Sequence, residues 1–182
     1  MNRTAQSDIS KRLRTAGVWS KKGLGQHFLV DSNALDVIME TAQVQITDTV
    51  VEVGPGLGVL TERLLAAAGR VVAFEYDPEM VAILLKDFPG LELIGGDVLR
   101  TAPAALPGLA PYKLVANIPY QITAPLLRLF LEGECPPESL TLLVQKEVAE
   151  RLTAPAGHSA RRYLSVLSEY FSEASYVSTV RA

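Results

Sequence analysis

The stretch "DTVVEVGPGLGVLTERLLAAAG", residues 48–69, leaves few folds open to this chain. Val50, Val51 and Val53 form a short β-branched run of the kind that suits a strand buried on both faces. Gly54, Gly56 and Gly58 follow at once, and the leucines beyond them fall at helical spacing up to Gly69. A strand that passes through a glycine turn straight into a helix opens a βα unit, and parallel sheets are assembled from such units. The theme recurs. "RVVAFEYDPEMVAILLKDF" predicts a second strand ending at Glu75 and a helix starting at Pro78. "LELIGGDVL" reads as a third strand, "YKLVANI" as a fourth, and "TAPLLRLFLEG" as a helix. "SLTLLVQ" reads as a fifth strand leading into "KEVAERL", and "RYLSVLSEYF" and "ASYVSTV" as a helix and a final strand. Ahead of them all, "DSNALDVIMETAQV" predicts an amphipathic helix with Ser32 as its N-cap. "TAPAALPGLAPY" and "TAPAGHSARR" read as loop-rich, neither being a linker between domains. The expected class is α/β, a doubly wound, mostly parallel sheet covered on both faces.

Composition narrows the partners. The 182 residues suffice for one domain with a sizeable core, and the apolar runs fall short of the roughly 18–20 residues a membrane span requires. Cys135 is the only cysteine and the histidines are His27 and His158, so neither an internal disulfide nor a zinc cluster is expected. With no secretory apolar segment, a reducing, cytoplasmic location is expected. Charge is uneven. Over residues 1–30, Arg3, Lys11, Arg12, Arg14, Lys21 and Lys22 oppose Asp8 alone, a net +5 that leaves −8 on the rest of a chain totalling −3. Such a basic arm suits a polyanion; a solvated tail or an organelle-targeting segment has the same composition.

In doubly wound sheets, ligands sit beyond the carboxyl ends of the strands, where the strand order reverses. Gly54, Glu75, Asp97 and Asn117 all fall at predicted strand ends, so they are expected to line one crevice. A dinucleotide fingerprint needs a third glycine where Val59 stands, and no Gly-Lys-Ser/Thr follows to make a P-loop. Glu75 follows Gly54 by 21 residues, which suits acceptance of hydrogen bonds from ribose hydroxyls, and Asp97 is placed to accept from an adenine amine. The bland alternatives are glycines needed for close packing, an Asp97 that simply terminates its strand in a capping role, and a solvated Glu75. The E-x-G-x-G-x-G pattern with these two acids resembles the S-adenosylmethionine site of class I methyltransferases.

"LVANIPYQIT", residues 114–123, adds chemistry. The exocyclic amine of adenine is a poor nucleophile because its lone pair is delocalised into the ring. Acceptors that hold its hydrogens direct the lone pair outward. Asn117 offers a side-chain carbonyl, the stiff Pro119 fixes a backbone carbonyl as a second acceptor, and Tyr120 offers a face for a base drawn out of its stack. "NIPY" matches the motif of amino methyltransferases. Together with "GLGQHFLVD", "EVGPGLGVLT", "GGDVL" and "LLVQKEVAERL", it resembles, in order, the KsgA family of ribosomal RNA adenine dimethyltransferases over roughly residues 21–152.

The resemblance implies a Rossmann-like class I fold and transfer of two methyl groups, from S-adenosyl-L-methionine, to N6 of each of two adjacent adenosines. The substrate would lie near the 3′ end of small-subunit ribosomal RNA in a pre-ribosomal particle. It implies a catalytic role for Asn117, Pro119 and Tyr120, and a cofactor site formed by Gln26, His27, Leu29, Gly54, Gly56, Glu75, Tyr76, Asp97, Val98 and Asn117, with no metal. Lys21, Lys22, Arg151, Arg161 and Arg162 are the candidates for RNA backbone contacts, and a monomer without membrane association is expected. The chain departs from the family pattern where Arg162-Tyr163 replaces a Tyr-Gly pair, and it stops at "VSTVRA". The expected organisation is therefore a basic arm over 1–20 and a catalytic domain over 21–182. The last sheet strand and the family's C-terminal helical domain are expected to be absent. Alternative functions are methylation of adenine in large-subunit RNA, of the macrolide-resistance type, an RNA-binding assembly or transcription factor without catalysis, and a small-molecule methyltransferase.

Overall fold

A computed structural model describes residues 32–118 and 120–180. Lys21, Lys22, Gln26, His27, Leu29, Pro119 and the side chain of Tyr120 lie outside what is described, as does the arm over 1–20. The described chain alternates helix and strand: α1 (Ser32–Ala42), β1 (Thr49–Val53), α2 (Val59–Ala67), β2 (Arg70–Glu75), α3 (Pro78–Asp87), β3 (Glu92–Gly95), α4 (Val98–Ala105), β4 (Lys113–Asn117), α5 (Thr123–Glu132), β5 (Ser139–Leu143), α6 (Lys146–Leu152) and α7 (Tyr163–Phe171). The five strands pair in parallel in the order β3-β2-β1-β4-β5. The order reverses between β1 and β4, which makes that junction the place for a ligand.

The pleat of the strands divides the core in two. Val50, Val71, Ala73 and Val115 face one way and pack with Leu35, Ile38, Leu60, Leu64, Met80 and Leu84 from α1, α2 and α3. Val51, Val53, Val72, Phe74, Leu114 and Ala116 face the other way and meet Val98, Ala102, Leu126 and Phe130 from α4 and α5. α7 is held to α5 through Leu127, Leu131 and Leu167. Each fully buried aliphatic or aromatic side chain contributes roughly 1.5–3 kcal/mol, whereas an exposed ion pair such as Arg128–Glu132 is screened by solvent and adds little. The sheet faces, then, hold the fold and fix where the strand ends point.

Three local expectations change. Ser32 lies inside α1 rather than ahead of it. The "TAPAALPGLAPY" segment is not loop throughout: α4 runs to Ala105 through Pro103, and a single 3-10 turn follows over Leu106–Gly108. Ala102 and Leu106 are buried in the second core, and that burial outweighs the hydrogen bond Pro103 cannot donate. "ASYVSTV" forms no strand. A strand exists through its neighbour, and here Tyr176 bonds locally to Thr179 at 2.7 Å while Val177 stays 58 % exposed, so an alternating pattern lacks a paired edge among the described residues.

Candidate cofactor and substrate site

The site begins with backbone that other residues adopt only under strain. Gly54, Gly56 and Gly58 have φ of 68°, 57° and 77°, which turn the chain sharply from β1 into α2. Gly58 has a second constraint: a Cβ there would sit 2.2 Å from Cε2 of Phe88, so α2 begins where only hydrogen fits. The loop is held by hydrogen bonds that the Gly54 amide donates to the Phe74 carbonyl and the Gly58 amide to the Pro55 carbonyl, both 2.9 Å.

Glu75 closes β2 and is 3 % exposed. Its Oε2 accepts from the Gly56 amide at 3.0 Å and its Oε1 from the Asp77 amide at 2.9 Å. Burial pushes its carboxyl above the usual carboxylate range, while these amides pull it back. Asp77 caps α3 by accepting from the Glu79 amide at 2.8 Å, and Pro78 takes the first helical position, as the sequence predicts. Tyr76, between the two acids, is 70 % exposed at the mouth.

Beyond β3, Gly96 at φ 127° turns the chain into α4. Asp97 caps that helix, accepting from the Leu99 amide at 3.0 Å, and the exposed Arg100 lies 3.8 Å from its other oxygen. The capping role foreseen as the bland alternative is thus realised, with the carboxylate still 39 % exposed. Val98 opens α4 and is buried.

Asn117 ends β4 opposite Leu143 of β5, and the Ile118 amide donates to the Leu143 carbonyl at 3.0 Å. The pleat puts Asn117 on the same sheet face as Val115, hence as the α1–α3 layer. A 3-10 turn over Tyr120–Ile122 then leads into α5. Across the carboxyl edge the spatial order is Asp97, Glu75, Gly54, Asn117, following β3-β2-β1-β4. At a strand spacing of about 4.8 Å, that row spans roughly 14 Å, the reach of a nucleoside with a short tail.

Glu52, the acid that opens the E-x-G-x-G-x-G pattern, has no separate role in the sequence reading, and it is the most unusual group in the site. It is 2 % exposed within β1, and its Oε2 accepts from the Thr61 hydroxyl at 2.7 Å. Burial, with Glu75 nearby adding to it, pushes its carboxyl up to about 8. The signal was available: an acid inside "VVEV", a strand otherwise apolar on both faces. Two of the three arginines named for RNA are engaged within the chain through their side chains. Arg161 pairs with Glu169 and donates to the Ala154 carbonyl at 3.1 Å, and Arg162 donates to the carbonyls of Ser159 at 2.8 Å and Arg161 at 2.7 Å. Arg151 is exposed on α6, its carbonyl accepting from the Ser165 hydroxyl.

A five-stranded parallel sheet in this order, with a glycine loop after β1 and an acid at the end of β2, defines a Rossmann-like methyltransferase fold. The family profile described as ribosomal RNA adenine dimethylase matches residues 19–182, and this chain belongs to that family. A protein of Dehalococcoides mccartyi named ribosomal RNA small subunit methyltransferase A is 47 % identical over 165 residues, covering 88 % of this chain and 56 % of the relative. Its namesake in Phenylobacterium zucineum is 43 % identical over 178 residues, covering 96 % and 62 %. Among solved structures, a dimethyladenosine transferase from Plasmodium falciparum matches with a TM-score of 0.65 at 30 % identity, covering 79 % of this chain and 52 % of that one. The 23S rRNA methyltransferase ErmE matches with a TM-score of 0.62 at 32 % identity, covering 72 % and 53 %. The chain spans little more than half the length of these relatives.

Proposed function

We propose that residues 21–182 form the catalytic domain of an adenosine N6-methyltransferase that uses S-adenosyl-L-methionine to dimethylate two adjacent adenosines near the 3′ end of small-subunit ribosomal RNA. The observation that carries this reading is the placement of Asn117 at the end of β4, next in sheet order to the glycine loop of β1. The residues fit the donor: a loop with glycine at alternate positions, a buried acid two strand ends away from Asn117, and an exposed tyrosine at the mouth. Gly54 and Gly56 would let the donor approach the backbone, Glu75 would accept from its ribose, and Tyr76, Asp97 and Val98 would surround its adenine. Gln26, His27 and Leu29 would complete the site. When bound, the donor supplies an electrophilic methyl group on a sulfonium.

This chain's own part is to prepare the acceptor. The Asn117 side-chain carbonyl accepts one hydrogen of the target amine, and the carbonyl beside Pro119 accepts the other. The nitrogen lone pair then points toward the cofactor without a strong base, and Tyr120 stacks on the extruded ring. Positioning and electrostatics supply the rate. The basic arm, with Lys21, Lys22, Arg151, Arg161 and Arg162, contributes phosphate contacts. On this reading the chain acts as a cytoplasmic monomer on a pre-ribosomal particle.

The test is transfer of labelled methyl to small ribosomal subunits lacking their adenine methylation, with large subunits and Asn117→Ala protein alongside. Label on small subunits alone, lost in the variant, is the expected result. The similarity to ErmE supports a second reading, large-subunit adenine as substrate, and label on large subunits would select it.

A further inference from the structure

We infer that Glu52 and Thr61 are a positioning pair that sets the glycine loop for the cofactor, an inference that rests on the methyltransferase reading above. Glu52 lies two residues before Gly54, and Thr61 lies three residues after Gly58. Their 2.7 Å bond therefore ties the last turn of β1 to the first turn of α2, beneath the loop that joins them. Both side chains are inaccessible, Glu52 at 2 % and Thr61 at 0 % exposure. Glu75 holds the middle of the same loop through the Gly56 amide at 3.0 Å. The loop is thus fixed at its two ends by one pair and at its centre by another acid.

Apolar neighbours could hold β1 against α2 without this arrangement, as Val50, Leu60 and Leu64 already do in the surrounding core. A carboxyl group is costly to bury unless it is hydrogen-bonded, and the Thr61 hydroxyl supplies that bond. What the pair adds is direction. A hydrogen bond fixes the angle at which α2 leaves the loop, and so fixes where the glycine amides point; a contact between methyl groups does not. Neither residue needs to touch the cofactor for this, so the expected signature is on cofactor affinity.

The experiment is calorimetric titration of the chain with S-adenosylhomocysteine at 25 °C. It compares the unmodified protein with Thr61→Val, Thr61→Ser, Glu52→Ala and the double variant Glu52→Ala/Thr61→Val, with thermal melts beside them. Thr61→Val keeps the shape and removes the donor, and it is expected to raise Kd about 5- to 10-fold, the worth of one buried hydrogen bond. Thr61→Ser restores the donor and is expected to stay within about twofold, well below the loss of that bond. The double variant is expected to bind no more weakly than the poorer single variant, because both remove one interaction. Thr61→Val that melts lower but binds with unchanged Kd would show a packing role alone and overturn the inference. So would losses that add in the double variant, or a loss that serine fails to restore. If Glu52→Ala does not fold, the valine and serine variants decide between them. Absence of binding by the unmodified protein would remove the methyltransferase reading itself, and this inference with it.

Discussion

The Gly56 amide donates to Glu75 Oε2 at 3.0 Å, a bond between two successive βα units made across 19 residues of sequence. The acid at the end of β2 is therefore already part of the loop after β1 before any ligand arrives. Its two oxygens hold the amides of Gly56 and Asp77, and so link the glycine turn to the start of α3. A ribose accepted by the same carboxylate would be read by a group whose position the loop itself determines.

Replacing Glu75 removes the ribose acceptor and releases the Gly56 amide at the same time. Glu75→Ala is expected to weaken cofactor binding by at least about tenfold, the range for loss of hydrogen bonds to a charged acceptor. Glu75→Gln is expected to bind weakly as well, since its amide nitrogen cannot accept from a backbone N–H. Calorimetry with S-adenosylhomocysteine measures both, and an unchanged Kd in the alanine variant would take the ribose away from this residue.

Asn117 belongs to chemistry rather than to cofactor affinity. Asn117→Ala is expected to reduce methyl transfer by about 10²-fold or more, the usual effect of deleting one oriented polar group from a reacting centre. The Kd for cofactor is expected to remain within about twofold, less than one neutral hydrogen bond. Transfer of labelled methyl under single-turnover conditions, beside a binding titration, separates the two. Parallel losses would show that the amide supports the β4 end instead.

Strand ends were legible in the sequence because they are set by local pattern. Glu75, Asp97 and Asn117 each follow a short apolar run and precede a turn or cap, and each sits where that pattern puts it. Pro78 announces the start of α3 for the same reason. What stayed hidden depends on partners distant in sequence. Thr61 gives no sign of its bond to Glu52, and nothing near Gly58 shows that the ring filling its missing Cβ belongs to Phe88. The segment "ASYVSTV" predicts a strand because a sequence displays the pattern of a strand but not the neighbour that must pair with it.

The buried Glu52 carboxyl gives the fold a pH dependence with a definite sign. In the folded protein it keeps its proton up to about 8, whereas the exposed group in the unfolded chain loses it near 4.5. Between those values the folded state binds more protons, so stability falls as pH rises through the window. The loss is on the order of a few kcal/mol over the full range, at about 1.4 kcal/mol per unit. Glu75, also raised by burial, contributes in the same direction. Urea unfolding at pH 5.5 and pH 8 is expected to show the decline, and Glu52→Gln, which cannot ionise, is expected to flatten most of it. A variant whose stability falls in parallel with the unmodified protein would place the titration elsewhere.

Gly58→Ala tests whether the loop is built from conformation or from space. The φ of 77° disfavours any side chain by about 1–2 kcal/mol, and the new Cβ would stand 2.2 Å from Cε2 of Phe88. Phe88 is 9 % exposed and sits in the same core as Leu60 and Leu84, so its ring has little room to withdraw. The two terms together are expected to destabilise the protein by about 2–4 kcal/mol, the upper part of the range for single substitutions. Adding Phe88→Leu removes the clash but leaves the backbone strain. Against a Phe88→Leu background, Gly58→Ala is therefore expected to cost about 1–2 kcal/mol, the conformational part alone. Equal losses in both backgrounds, measured by urea unfolding, would mean that the ring moves aside freely and that only φ restricts this position. No loss in the Phe88→Leu background would mean the reverse: the start of α2 is set by the aromatic ring packed against it.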